Sequence, residues 1–102
     1  VGDSSWQTSI ARRIWVSGQV QGVGFRAYTQ QRARELGLVG WVRNRADGRV
    51  EIQCCGPADQ VEALIEWCQQ GVPTAVVAGV ETSEDIAGND FPDPFEIRPT
   101  AS

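Results

Sequence analysis

The sequence predicts an α+β two-layer sandwich, a mostly antiparallel sheet with two helices on one face, in the order βαββαβ. Three observations predict it. Runs of period-two alternation such as Val50-Glu51-Ile52-Gln53-Cys54 take turns with stretches of helical spacing such as Val61, Leu64, Ile65 and Cys68. Clear breakers separate these runs: Gly18 to Gly24, Gly37, Asp47-Gly48, Gly56-Pro57 and Gly71-Val72-Pro73. Each helical stretch carries one apolar stripe to bury, and one face of a sheet takes both.

The elements follow in order. Arg13 to Ser17 alternates, with Ile14 and Val16 on one face and Trp15 on the other, which reads as a strand. After the glycine-rich turn, a helix runs from Val23 or Gly24 to Leu36. Its inward stripe is Phe25, Thr29, Ala33 and Leu36, with Arg32 beside it. Gly37 stops it. Trp41 to Asn44 is a short strand, Arg45 to Gly48 a tight turn, and Val50 to Cys54 the next strand. Gly56-Pro57 is expected to break that strand. Pro57 suits the first turn of the second helix, with Asp59 near its positive end. That helix stops near Gly71. Ala75 to Glu81 is a fourth strand, and Thr82 to Pro94 a polar, acidic loop. Phe95 to Ile97 closes the fold, making or extending the last β element. Residues 1–11 are expected to be a flexible tail, 12–98 one domain and 99–102 a second tail.

With 102 residues, a single domain is expected to bury roughly two-thirds of its unfolded surface. No apolar run approaches the ~20 residues of a membrane span, and no secretory apolar segment follows the start, so the cytoplasm is the expected location. The charge is lopsided. Eight arginines precede Val50 beside three acids; after it, Arg98 stands among ten acids, and there is no lysine. A net charge of −4 argues against a general nucleic-acid binder. The three cysteines make no disulfide framework, and Cys54 and Cys68 read as small apolar filler. No histidine is present, so any catalysis runs without the usual general base, and no metal site is expected.

Two places could carry chemistry. Gly18, Gly22 and Gly24 fit a tight strand-to-helix turn with a packing constraint. The same turn also fits an anion cradle, because the amides around Gln21, Gly22, Val23, Gly24 and Phe25 are the unpaired donors of a helix start. Arg26 lies in the first helical turn, where a cation is locally unfavourable unless an anion sits there too. Its guanidinium fork would hold two phosphate oxygens. Asn44 fits a turn residue bonding its own backbone. It fits equally an amide that fixes a water beside the turn.

The run Gly18-x-Val20-Gln21-Gly22-Val23-Gly24-Phe25-Arg26 resembles the first motif of the acylphosphatase family. Gly40-Trp41-Val42-Arg43-Asn44, followed by Asp47-Gly48-x-Val50-Glu51, resembles the second. Gly71-x-Pro73, Val80-Glu81 and Phe95-Glu96-Ile97 are similar to later family segments. Val72 departs mildly, since the family often has proline there. The resemblance implies a ferredoxin-like fold. It implies hydrolysis of acylphosphates to a carboxylate and inorganic phosphate, with no metal, no cofactor and no covalent intermediate. In that scheme Arg26 binds the phosphoryl group and Asn44 orients the attacking water. The Gln21 to Phe25 backbone forms the cradle, and the substrate's own phosphate accepts the proton. Gln21 is expected to act as a structural clamp with no chemical step. The implied partners are a small acylphosphate and inorganic phosphate as product and inhibitor; no nucleic acid, no membrane and a monomer are expected. The rival readings are a phosphate-sensing or accessory domain of the same fold, an RNA-binding sheet and a cysteine-dependent phosphatase. The last wants an arginine just after a cysteine, and none of Cys54, Cys55 or Cys68 has one.

Overall fold

The computed structural model describes residues 8–86 and 88–101. Its elements are β1 (Ser9–Gln19), α1 (Phe25–Glu35), β2 (Val39–Asn44), β3 (Val50–Pro57), α2 (Ala58–Gln70), β4 (Val76–Ser83) and β5 (Glu96–Ile97). The sheet order is β4-β1-β3-β2-β5. β1 is antiparallel to both β3 and β4, and β2 is antiparallel to β3. Hence β1 and β2 are parallel with β3 between them, and β3 and β4 are parallel with β1 between them. Two split βαβ units interlock, which is the ferredoxin-like arrangement.

The core forms because the alternation of the strands and the stripes of the helices meet. Ile14 and Val16 of β1, Val42 of β2, and Val50, Ile52 and Cys54 of β3 face the helix layer. There they meet Phe25 and Ala33 of α1 and Val61, Leu64 and Cys68 of α2 in one buried cluster. Burying such side chains contributes about 1.5–3 kcal/mol each. Trp67 packs its ring 5.7 Å from that of Phe25, joining the two helices.

Several expected boundaries move. β1 begins at Ser9, not Arg13, because Ser9 and Ile10 pair with Pro57 and Gly56. Those two breakers therefore end β3 from within the ladder instead of cutting it short. Of the expected tail 1–11, residues 1–7 lie outside the described residues, and 9–11 are strand. The closing strand does not extend β4. It lies on the opposite edge, parallel to β2, with Trp41 opposite Glu96 and Val42 opposite Ile97. Ala101, expected in a terminal tail, makes a bridge to Arg45 and accepts from the Ala46 amide at 2.9 Å.

The other face of the sheet has no helix layer, yet it is covered. Glu51 is 0% exposed, gripped by Arg13 Nε at 2.7 Å, Arg43 Nε at 2.8 Å and Arg45 Nη1 at 3.0 Å. Arg43 and Arg98 lie over the Trp41 ring, and Arg13 and Arg49 over Trp15. The aliphatic stems and guanidinium planes of arginine thus do the work of a second layer. Around the hairpin, Arg43 and Arg45 are therefore not free solvated charges but hold Glu51, and Arg49 pairs with Asp47. The acidic loop crosses here as well, for Gln53 Nε2 donates to the Asp90 carbonyl at 3.2 Å.

Candidate active site

The site is built where β1 ends and α1 begins. The β1–β4 register shifts between Ser17 and Gly18. Gly18 has φ 121°, and a β-carbon there would stand 2.2 Å from the Val76 carbonyl oxygen. Only a residue without a side chain lets β1 bulge and turn away past its neighbour. After Val20 the chain turns through Gln21 to Gly24. Gly24 is the N-cap of α1, in the left-handed region at φ 82°, and no side chain caps the helix.

The helix start carries no side-chain cap. Tyr28 is the first amide to bond back, to the Gly24 carbonyl at 3.1 Å. The amides of Phe25, Arg26 and Ala27 have no intrahelical acceptor. The first turn has no acidic residue to neutralise their partial positive charge.

Two tethers fix the turn. Gln21 Nε2 donates to the carbonyls of Arg45 at 2.8 Å and Arg49 at 2.9 Å, across the β2–β3 hairpin. Thr74 Oγ1 donates to the Val23 carbonyl at 2.8 Å. The turn is therefore held to the β2–β3 hairpin on one side and to the segment just before β4 on the other.

Arg26 differs from every other arginine. Of the nine in the chain, eight are engaged by a carboxylate or a backbone carbonyl. Arg26, half-buried, makes no ion pair or side-chain hydrogen bond among the described residues.

Asn44 ends β2 on the helix-facing side, two residues after Val42. Its carbonyl accepts from the Ala101 amide at 2.9 Å, and its Cα partner on β3 is Val50. The residue is 9% exposed, and its Oδ1 is buried without a hydrogen-bond partner. An unsatisfied buried acceptor costs about 1–3 kcal/mol. The protein carries that cost at the residue facing the open helix start.

These groups share one pocket of about 190 Å³, lined by Val20, Gly22, Gly24, Phe25, Arg26, Ala27, Asn44 and Ile97. No carboxylate lines it, so its field is set by the guanidinium and the amides. Among the residues expected from sequence, Gly22, Gly24, Phe25, Arg26 and Asn44 line the pocket. Gln21 and Val23 do not. The Gln21 side chain is committed to the hairpin, and Val23 packs against the core. Sequence reasoning missed Ala27, Val20, Ile97 and Thr74. Val20 lies within the motif and Ala27 directly after it, so both were within reach of it. Ile97 enters the site only through the position of β5, which two residues of strand do not announce.

The cysteines stand apart from this pocket. Burial pushes the thiols of Cys54 and Cys68 up to about 12, so both stay protonated and unreactive at neutral pH.

A profile of the acylphosphatase family matches residues 12–97. The chain belongs to the acylphosphatase family. It is 57% identical over 79 residues to an acylphosphatase of Rhizorhabdus wittichii, covering 78% of this chain and 79% of that one. An acylphosphatase structure from Coxiella burnetii superposes with a TM-score of 0.77 at 38% identity, over 88% of this chain and 93% of that one. T. kodakarensis HypF is similar at a TM-score of 0.72 and 32% identity, over 93% of this chain but 12% of that one. As an acylphosphatase-family protein the chain is an enzyme of the hydrolase class, as its motifs imply. No described helix is long and apolar enough to cross a membrane.

Proposed function

We propose that the chain hydrolyses the carboxyl–phosphate bond of acylphosphates by direct attack of water, without metal, cofactor or covalent enzyme intermediate. Arg26 and the amides at the start of α1 take the phosphoryl oxygens, each charged hydrogen bond being worth about 1.5–3 kcal/mol. Asn44 orients the water. The χ2 well of asparagine is broad, so the amide turns Oδ1 toward the water and accepts its proton in a hydrogen bond.

The water oxygen attacks phosphorus in line. The bond between phosphorus and the acyl oxygen breaks, and its electron pair leaves with the carboxylate. The water's proton ends on a phosphoryl oxygen, so an acylphosphate dianion and water give a carboxylate and dihydrogen phosphate. A carboxylate is a weakly basic leaving group and needs no strong acid, which suits a chain with no histidine. Catalysis then rests on positioning, worth up to about 7–11 kcal/mol, and on charge stabilisation.

One observation carries this reading: the arginine left unpaired among the described residues and the unsatisfied Asn44 amide line the same pocket at an uncapped helix start. Every group in the scheme comes from one copy, so a monomer acting on a small acylphosphate suffices. The test is release of phosphate from benzoyl phosphate in the presence of chelator, with inorganic phosphate as a competitive inhibitor. Turnover that vanishes with chelator would overturn the reading. Phosphate binding without turnover would point instead to a phosphate-holding accessory domain, the way the HypF match, a small part of a long chain, can be read.

A further inference from the structure

Three large apolar residues are exposed among the described residues, Tyr28, Val76 and Ile97, and of these Ile97 alone lines the pocket of Arg26 and Asn44. Its place there is set by β5. The strand lies parallel on β2 with Ile97 opposite Val42, and the Arg98 amide locks the register by donating to the Val42 carbonyl at 2.8 Å. Asn44 is two residues beyond Val42 and shares its face. Ile97 and Asn44 therefore form one wall of the pocket, opposite the open helix start. Along that wall Asn44 is 9% exposed and Ile97 37%. The apolar side chain stands on the outer, solvent side of the amide.

In-line attack puts the nucleophile between Asn44 and phosphorus, with the leaving carboxylate on the far side. Ile97 then borders the nucleophile, not the acyl group. We infer that Ile97 is a positioning residue that limits the space beside Asn44 to a single water and excludes larger hydroxylic nucleophiles. An apolar wall offers no hydrogen bond to a second water, so the attacking water has Asn44 as its protein partner and one orientation. The inference rests on the hydrolytic reading proposed above.

The test uses benzoyl phosphate with methanol added as a competing acceptor. Methanol attacks phosphorus by its oxygen, the carboxylate leaves with the electron pair, and the methanol proton passes to a phosphoryl oxygen. The product is methyl phosphate, separable from inorganic phosphate by phosphorus NMR. The unchanged protein is expected to form almost no methyl phosphate. Ile97→Ala, which opens the wall, is expected to raise the ratio of methyl phosphate to inorganic phosphate severalfold. It is also expected to lower kcat while leaving inhibition by phosphate unchanged. Ile97→Leu restores the bulk and is expected to restore the exclusion. A loss of kcat with an unchanged product ratio, as a merely loosened strand would give, overturns the inference. So does appreciable methyl phosphate from the unchanged protein. If the unchanged protein fails to hydrolyse benzoyl phosphate at all, it is the hydrolytic reading that falls.

Discussion

The side-chain amide of Gln21 reaches from the turn after β1 to the β2–β3 hairpin, where its Nε2 meets the carbonyl of Arg45 at 2.8 Å. The same nitrogen also donates to Arg49 at 2.9 Å. One amide thereby sets the spacing between the turn and the end of β2, where Asn44 sits. Gln21→Ala removes one donor from each of two carbonyls, which still accept from the Gly48 and Arg45 amides, so the cost is about 0.5–1.5 kcal/mol per bond. A displacement of the order of 1 Å between reacting groups can cost about a hundredfold in rate. Gln21→Ala is therefore expected to lower kcat by about 10- to 100-fold. Phosphate inhibition should weaken much less. Steady-state kinetics with benzoyl phosphate would decide it, and equal losses in both quantities would count against a spacing role.

Arg26 and Asn44 should separate cleanly in binding and turnover. Arg26→Ala is expected to weaken phosphate binding by about 10- to 100-fold, the equivalent of one charged hydrogen bond, and to abolish turnover. Asn44→Ala is expected to bind phosphate as before and to lose turnover. Isothermal titration with phosphate beside the kinetic assay distinguishes them. A variant at Asn44 that kept its kcat would remove the water-orienting role.

Asn44 should also show a conflict between stability and activity. Its Oδ1 is buried without a partner, so truncation removes an uncompensated acceptor. The lost volume offsets part of that gain. Asn44→Ala is expected to keep the Tm of the unchanged protein or exceed it, although the residue is nine-tenths buried. A fall of several degrees in a thermal melt would mean that the amide stabilises the fold after all.

Glu51 links stability to pH. Burial alone would raise its pKa, but the guanidiniums of Arg43, Arg13 and Arg45 outweigh burial and hold it below the ordinary glutamate value. A carboxylate depressed in the folded state contributes fully above its unfolded pKa, about 4.3. That contribution is lost as pH falls from there through the folded value. Urea unfolding is thus expected to show stability dropping with acidification below about pH 4.3, and Glu51→Gln should flatten that slope. At neutral pH the variant faces three guanidiniums with a neutral amide. Its loss should lie near the lower end of the ~3–5 kcal/mol for breaking a buried pair, because water still reaches part of each arginine. Identical pH slopes for the two proteins would refute the link.

Thiol chemistry offers an independent check. Cys55 is half-buried, while Cys54 and Cys68 are buried with thiols pushed up to about 12. An aromatic disulfide reagent is expected to titrate Cys55 in the native protein and the other two only after unfolding. Blocking Cys55 should leave activity unchanged. Loss of activity on modification would bring back a cysteine mechanism.

Much of the fold was legible because each signal is local. Alternation in Val50 to Cys54, the stripe of α2 and the glycine at the end of α1 each point to one element type. The motif around Arg26 and Asn44 was legible for the same reason. What stayed hidden depends on long-range placement. Glu51 alternates with Val50 and Ile52 and so reads as an outward, solvated carboxylate. It is buried because arginines from two other strands and the hairpin turn fold over it, a contact that periodicity does not encode. The closing strand at Phe95 to Ile97 was legible, but its edge was not, because two residues carry no pattern that chooses pairing with β2. Without that edge the place of Ile97, and with it one wall of the pocket, was hidden.

The arginines that cover Glu51 have a further chemical property. Acylphosphates are acylating agents, and an unprotonated amine nitrogen is their usual protein target. A guanidinium keeps its proton at any working pH and offers no lone pair to attack an activated acyl carbon. The chain has no lysine, so a face that would elsewhere be built from amines is inert toward the compounds proposed as substrate. That face is thereby spared N-acylation by the proposed substrates.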